Sequence, residues 1–151
     1  MLTREQFLPH EMRIVAALRM QGASDEQVIV RVKSENLFQY PTERMVANRA
    51  TVCLRRLDAM VPTDAVCAAR GIDPKTAVEA ASSLTRLMAS GTPTQADQAI
   101  FYSMICRYDI VRELVLVEIG ERLQNFDYAF TAVDLNAFMT RFTTEYPDAA
   151  R

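Results

Sequence analysis

Apolar residues recur at helical spacing along almost the whole chain. Near the start they occupy Leu8, Met12, Val15 and Leu18, which lie three or four residues apart and therefore share one face of a helix. Proline and capping residues separate such segments, whereas the short alternating runs typical of β-hairpins are rare. The pattern predicts an all-α protein, folded as a single compact bundle of about eight helices that forms one domain over residues 1–151.

Capping signals place the ends of the predicted helices. Ser24 is followed three residues later by Gln27, the spacing of a capping box, and Thr131 is followed in the same way by Asp134. Asp73 and Pro74 provide an N-cap and a proline in the first turn. The first four predicted helices run from Pro9 towards Gly22, start at Ser24, cover 43–60 and start at Thr63. The other four run from Pro74 to Ala89, start at Thr94, cover 109–123, and run from Thr131 to before Pro147.

Two segments, 28–32 and 114–119, are rich enough in β-branched residues to form strands, but both fit better as helices. At 100° per residue, the apolar residues of 109–123 are distributed all around the helix axis. This distribution is typical of a helix that is buried on every side. We therefore expect helix 109–123 to be the central core helix.

Composition excludes several classes of protein. Half the residues are apolar, 24% are charged, and Gly and Pro are few, which is an ordinary globular composition. The N-terminus has no apolar stretch typical of a signal peptide, and no run is long enough to cross a membrane. The three cysteines are widely spaced and form neither a disulfide pattern nor a zinc motif. We expect a cytoplasmic protein with no membrane partner.

Motifs for catalysis are absent from the sequence. It has no phosphate-binding Gly-rich loop, no HExxH and no GxSxG, and its one histidine, His10, stands where a surface residue of the first helical turn is expected. Paired carboxylates such as Glu118 and Glu121 fit a solvated helix face better than an active site. We therefore expect no enzymatic activity, no cofactor and no bound metal.

The segment 43–60 has two chemically different faces. It lies in the first part of the chain, residues 1–60, which is net positive, whereas residues 61–151 are net negative. With Arg44 at 0°, the apolar residues of 43–60 fall between roughly 160° and 280°, and the basic or amide residues fall between about 0° and 140°. The apolar set is Val46, Ala50, Cys53, Leu54, Leu57 and Met60, and the basic set is Arg44, Asn48, Arg49, Arg55 and Arg56.

The basic set has two interpretations. Arginines and an amide in one stripe have the chemistry to contact phosphates and base edges of a nucleic acid. Glu43 and Asp58 lie in the same helix and partly neutralise the arginines, so composition alone favours an ordinary solvated face.

Two blocks of sequence resemble the BrxA family, and the similarity extends from about residue 8 to residue 148. The first block consists of Ser34-Glu35-Asn36-Leu37-Phe38-Gln39, Pro41-Thr42-Glu43-Arg44 and Arg55-Arg56-Leu57. The second consists of Ile105-Cys106-Arg107-Tyr108-Asp109-Ile110-Val111-Arg112-Glu113-Leu114, Asp134-Leu135-Asn136-Ala137-Phe138 and Glu145-Tyr146-Pro147. The sequence has no tryptophan near Phe101, where family members often have one, and on this resemblance we expect the chain to lack their further C-terminal segment.

The resemblance implies a small, non-enzymatic accessory protein of BREX, a bacterial anti-phage system that marks self DNA by methylation. It also implies a helical fold comparable to that of NusB, and an association with nucleic acids. On this basis we expect Arg44, Arg49, Arg55 and Arg56 to contact phosphate, Asn48 to contact a base or phosphate, and DNA to be preferred over RNA. The alternative hypothesis is a scaffold that binds larger BREX proteins through an apolar or acidic surface in residues 61–151, without contacting nucleic acid.

Overall fold

The computed structural model describes residues 6–147, and these residues confirm the all-α prediction. Of them, 76% are helical, and no strand occurs in this range. Both β-branched segments are helical, as expected: 28–32 lies in an α-helix and 114–119 in a π-helix. Within the same range, no helix combines the length and the apolar character needed to cross a bilayer.

Helices α1 to α6 follow the predicted boundaries closely. They are α1 Pro9–Met20, α2 Asp25–Ser34, α3 Glu43–Ala59, α4 Asp64–Arg70, α5 Pro74–Ser90 and α6 Pro93–Arg107. The capping box of α2 is formed, with the Gln27 side chain accepting the Ser24 N–H at 2.8 Å and the Ser24 hydroxyl accepting the Gln27 N–H at 3.3 Å. The Asp73 carboxylate accepts the Thr76 N–H at 2.9 Å at the start of α5.

Contacts between Cα atoms divide the chain into two compact units, and the larger one is Phe7–Ser103. Its central helix is α1, which packs against α2, α3 and α5. Met12, Val15 and Ala16 of α1 are fully buried as a result. The predicted apolar face of this first helix is thus confirmed, and it forms the centre of the core of this unit.

The second unit contains the described residues from Met104 onward, together with Gln6. An uninterrupted helical stretch consists of α7 Asp109–Arg112, a π-helical segment Glu113–Ile119 and α8 Gly120–Gln124. After a connection over 125–131, α9 runs over Ala132–Glu145. Arg122 joins these parts by ion pairs to Glu118 at 3.2 Å and Asp134 at 2.8 Å.

The prediction that helix 109–123 is buried on every side is wrong. Val111 is its one buried residue, and Leu116 and Val117 are exposed. A helix is buried on every side only where several other helices surround it. Among the described residues of its own unit, α9 is the one other helix of comparable length. A single neighbouring helix can cover only one face of the stretch 109–123. The single-domain assignment over residues 1–151 stays a prediction.

Candidate nucleic-acid interface

The start of α3 is fixed by the loop that precedes it. The Thr42 hydroxyl accepts the Met45 N–H at 3.3 Å and caps the helix. Two residues earlier, the Tyr40 hydroxyl donates a hydrogen bond to the Glu11 carboxylate of α1. This hydrogen bond is the main cause of a raised pKa of Tyr40, and burial adds to the rise. The loop is therefore tied to α1 where α3 begins.

The inner face of α3 is the apolar set predicted from the sequence. All six of its members are buried: Val46, Ala50, Cys53, Leu54, Leu57 and Met60. This face packs against α1 and α2. Burial on this scale fixes the rotation of α3 about its own axis, and thereby decides which side chains face solvent.

Three of the five predicted site residues form an exposed stripe. Arg44, Asn48 and Arg55 are all exposed, and none of their side chains forms a hydrogen bond or ion pair with another described residue. Arg44 and Arg55 lie eleven residues apart, which corresponds to about 16 Å along the helix and a rotation of only about 20°. We call these three residues the α3 stripe.

Arg49 is only half-buried and lies at the edge of the stripe. Its positive charge is close enough to the Tyr40 hydroxyl to oppose the rise of that group's pKa. Arg49 thus interacts electrostatically with Tyr40, whose hydroxyl is bonded to Glu11. Its part in contacting a nucleic acid stays a prediction.

Arg56 does not belong to the exposed face, and the prediction that it does is wrong. Its side chain is 0% exposed, and its Nη1 donates a hydrogen bond to the Phe7 carbonyl at 3.0 Å. At 120° on the helical projection, Arg56 lies within the polar sector but near its border with the apolar sector. Because the chain around Phe7 covers this side of α3, Arg56 becomes part of the interior.

Lys33 is a neighbour of the α3 stripe that sequence reasoning missed. Its Nζ lies 3.3 Å from the Glu43 carboxylate, next to Arg44 in sequence. Two other cations of this unit are ion-paired away from the stripe: Arg31 binds Glu35 at 3.2 Å and Arg19 binds Asp58 at 3.2 Å. The association of Lys33 with α3 depends on the packing of α2 against it, and no sequence motif could have revealed it.

The stripe has the chemistry of an anion-binding surface. Two guanidinium groups supply positive charge and directed donors, and the amide of Asn48 between them can both donate and accept hydrogen bonds. The described residues contain no group of three or more His, Cys, Asp or Glu side chains placed to hold a metal ion. Cys53 and Cys67 are buried, as expected of small apolar residues, and Cys106 is partly so.

Comparison with known proteins identifies the family. No curated protein and no solved structure matches the chain, so the comparison with the NusB fold stays a prediction. The family model described as BrxA matches residues 1–151, the whole length of the sequence. The chain therefore belongs to the BrxA family and is a BREX-associated protein.

Proposed function

We propose that this protein is a non-enzymatic accessory protein of a BREX-type anti-phage system, and that it binds double-stranded DNA in the bacterial cytoplasm through the α3 stripe. The observation that carries the proposal is the alignment of Arg44, Asn48 and Arg55 on one exposed face, with no partner for their side chains among the described residues. Membership of the BrxA family supports it by associating the chain with BREX.

The length of the stripe suits a duplex. Duplex DNA carries one phosphate charge per 1.7 Å of axis, so the span of about 16 Å between Arg44 and Arg55 corresponds to roughly ten phosphate charges. A stripe of this length can therefore contact phosphates of one duplex with both of its arginines. Rigid attachment of α3 through its buried face reduces the entropy that is lost when these side chains bind.

DNA is favoured over RNA by the shape of the binding element. The major groove of B-form DNA admits an α-helix, whereas the major groove of double-stranded RNA is too deep and narrow for protein side chains to read. An exposed helix face with an amide between two arginines therefore fits a DNA groove better than an RNA groove.

The test is fluorescence anisotropy on a labelled duplex over a range of salt concentrations. The variant Arg44→Glu with Arg55→Glu reverses both stripe arginines and leaves the buried face of α3 unchanged. If each arginine neutralises one phosphate, the slope of log K against log salt should fall by about 1.8 in total, and affinity should fall most at low salt.

The matched control is Arg70→Glu with Arg86→Glu, which makes the same charge change at two exposed arginines of α4 and α5. It should change duplex binding much less. Equal loss in both double variants would show that net charge, and not the stripe, drives binding. Unchanged binding by the stripe variant, with thermal melts like those of the wild type, would exclude α3 as the interface.

A second candidate is a protein scaffold, and the exposed apolar residues of the smaller unit favour it. Leu116 and Leu123 are exposed, as are Phe126, Tyr128 and Val133 around the connection to α9. Several exposed apolar side chains within one segment of the chain suit a protein-binding surface. In this case the protein would bind other BREX components and would not bind a duplex even at about 50 mM salt, where phosphate contacts are strongest.

A further inference from the structure

A groove in the smaller unit has walls of different chemistry. It has a volume of about 240 Å³ and lies between the stretch 113–121 on one side and α9 on the other. Pockets for drug-sized ligands begin at about 300 Å³, so this groove is large enough for one extended side chain and too small for a folded element.

One wall of the groove is aromatic. Phe138, Phe142 and Tyr146 are spaced four residues apart along one face, with ring centroids 5.9 Å and 5.0 Å from each neighbour. Phe138 and Phe142 are buried, whereas Tyr146, which also lines the groove, is 46% exposed. An exposed aromatic ring in a groove can bind a cation on its π face.

The other groove residues give it a negative charge. Four glutamates and one arginine line it. Glu118 is already neutralised, because it accepts hydrogen bonds from Arg122 at 3.2 Å and from Arg141. Glu113, Glu121 and Glu145 form no ion pair with another described residue. The arginine that lines the groove, Arg141, is engaged with Glu118, so three carboxylates beside the aromatic wall have no cationic partner among the described residues.

The π-helical segment contributes to this arrangement. In a π-helix each hydrogen bond joins residues five apart, so Glu113 and Glu118 are brought onto the same side as Val117. An α-helix would bring residues three and four apart together instead. The carboxylates on this wall are thus aligned by the backbone, across from the rings of α9.

We propose that this groove binds an arginine side chain from a basic segment of a partner protein. Arginine matches both walls, since its planar guanidinium stacks on an aromatic ring and its fork of donors pairs with carboxylates. The opposite charges of groove and segment provide the attraction, and the volume restricts the site to one side chain. The proposal is independent of the α3 stripe, which lies in the other unit.

The experiment measures anisotropy of a fluorescein-labelled hexa-arginine peptide with the full chain at about 50 mM salt, with hexa-lysine and hexa-glutamate peptides as further probes. Hexa-arginine should bind, hexa-lysine should bind more weakly, and hexa-glutamate should not bind. Tyr146→Ala should weaken hexa-arginine binding by about two- to fivefold, because it removes the ring and leaves every carboxylate in place. Glu113→Gln with Glu121→Gln should weaken it by about tenfold or more.

The control variant is Glu79→Gln with Asp97→Asn, which removes the same charge from exposed positions of the larger unit. It should leave peptide binding within about twofold of the wild type. Equal weakening by the control and groove variants, or no effect of Tyr146→Ala, would overturn the proposal. So would spermidine displacing the peptide at an equal concentration, because the site would then be one for free polyamines.

Duplex binding separates this proposal from the DNA-binding function. The groove variants should bind duplex as the wild type does, and the Arg44→Glu with Arg55→Glu variant should bind hexa-arginine as the wild type does. Failure of the wild type to bind hexa-arginine would overturn the groove proposal and would leave the α3 stripe unaffected.

Discussion

Replacement of Arg56 by methionine should destabilise the protein, although the neighbouring Arg55 should tolerate the same change. Arg56 is fully buried, and its guanidinium donates to the Phe7 carbonyl. Methionine keeps an unbranched apolar stem of similar reach and removes the charged donor. The Phe7 carbonyl then loses its hydrogen bond to a charged donor.

The magnitude follows from that lost hydrogen bond. A hydrogen bond to a charged group contributes about 1.5–3 kcal/mol, and we expect a loss of that size in the free energy of unfolding. For a protein of this size each kcal/mol lowers Tm by about 2–4 °C, which gives a decrease of about 3–12 °C.

Urea and thermal unfolding followed by circular dichroism at 222 nm would measure this. Arg55→Met is the control: Arg55 is exposed, so its replacement should change stability by no more than about 0.5 kcal/mol. Arg56→Lys should fall between the two, because an ammonium keeps the charge but not the planar fork of donors. If Arg56→Met were as stable as the wild type and bound duplex poorly, Arg56 would be a surface contact and the assignment to the interior would be refuted.

Further predictions concern both units. Far-ultraviolet circular dichroism should show helix as the dominant structure, near the 76% of the described residues, and a strong strand signal would contradict the fold. Thr42→Ala removes the cap of α3 and should cost about 1 kcal/mol in urea unfolding, whereas Thr42→Ser should cost little. Hydrogen bonds from Thr131 hold the pKa of Asp134 below its ordinary value of 3.8, so the ionised carboxylate stabilises the fold above that pH, and the stabilisation is lost as pH falls through the lowered pKa. The stability difference between wild type and Asp134→Asn should therefore shrink as the pH is lowered from 6 to 3, and a constant difference would contradict this. Phe138→Ala should cost about 3–5 kcal/mol by leaving a cavity, and the exposed Val133→Ala should be close to neutral.

The boundaries of the helices could be predicted from the sequence because their causes are local. A cap is a contact between residues three apart, so Ser24 with Gln27 reveals where α2 starts, and Thr42 reveals where α3 starts. Periodicity likewise predicts which side of a helix is apolar, and all six apolar positions of α3 are buried. Arg44, Asn48 and Arg55 could be placed on the exposed side for the same reason.

The tertiary structure decided how much of each helix is covered, because coverage depends on neighbours that are distant in sequence. Arg56 is near the border between polar and apolar sectors, and it is buried because the chain at Phe7 lies over it. The stretch 109–124 has the apolar composition of a core helix, but the described part of its unit provides α9 alone as a long partner, and Leu116 remains exposed to solvent. Lys33 lies beside Glu43, and Glu113 lines the same groove as Tyr146. In both cases the packing of helices brings together residues that are ten or more positions apart in the sequence. The sequence determined the helices and their faces, and the packing of those faces decided which charged groups remain exposed to bind a partner.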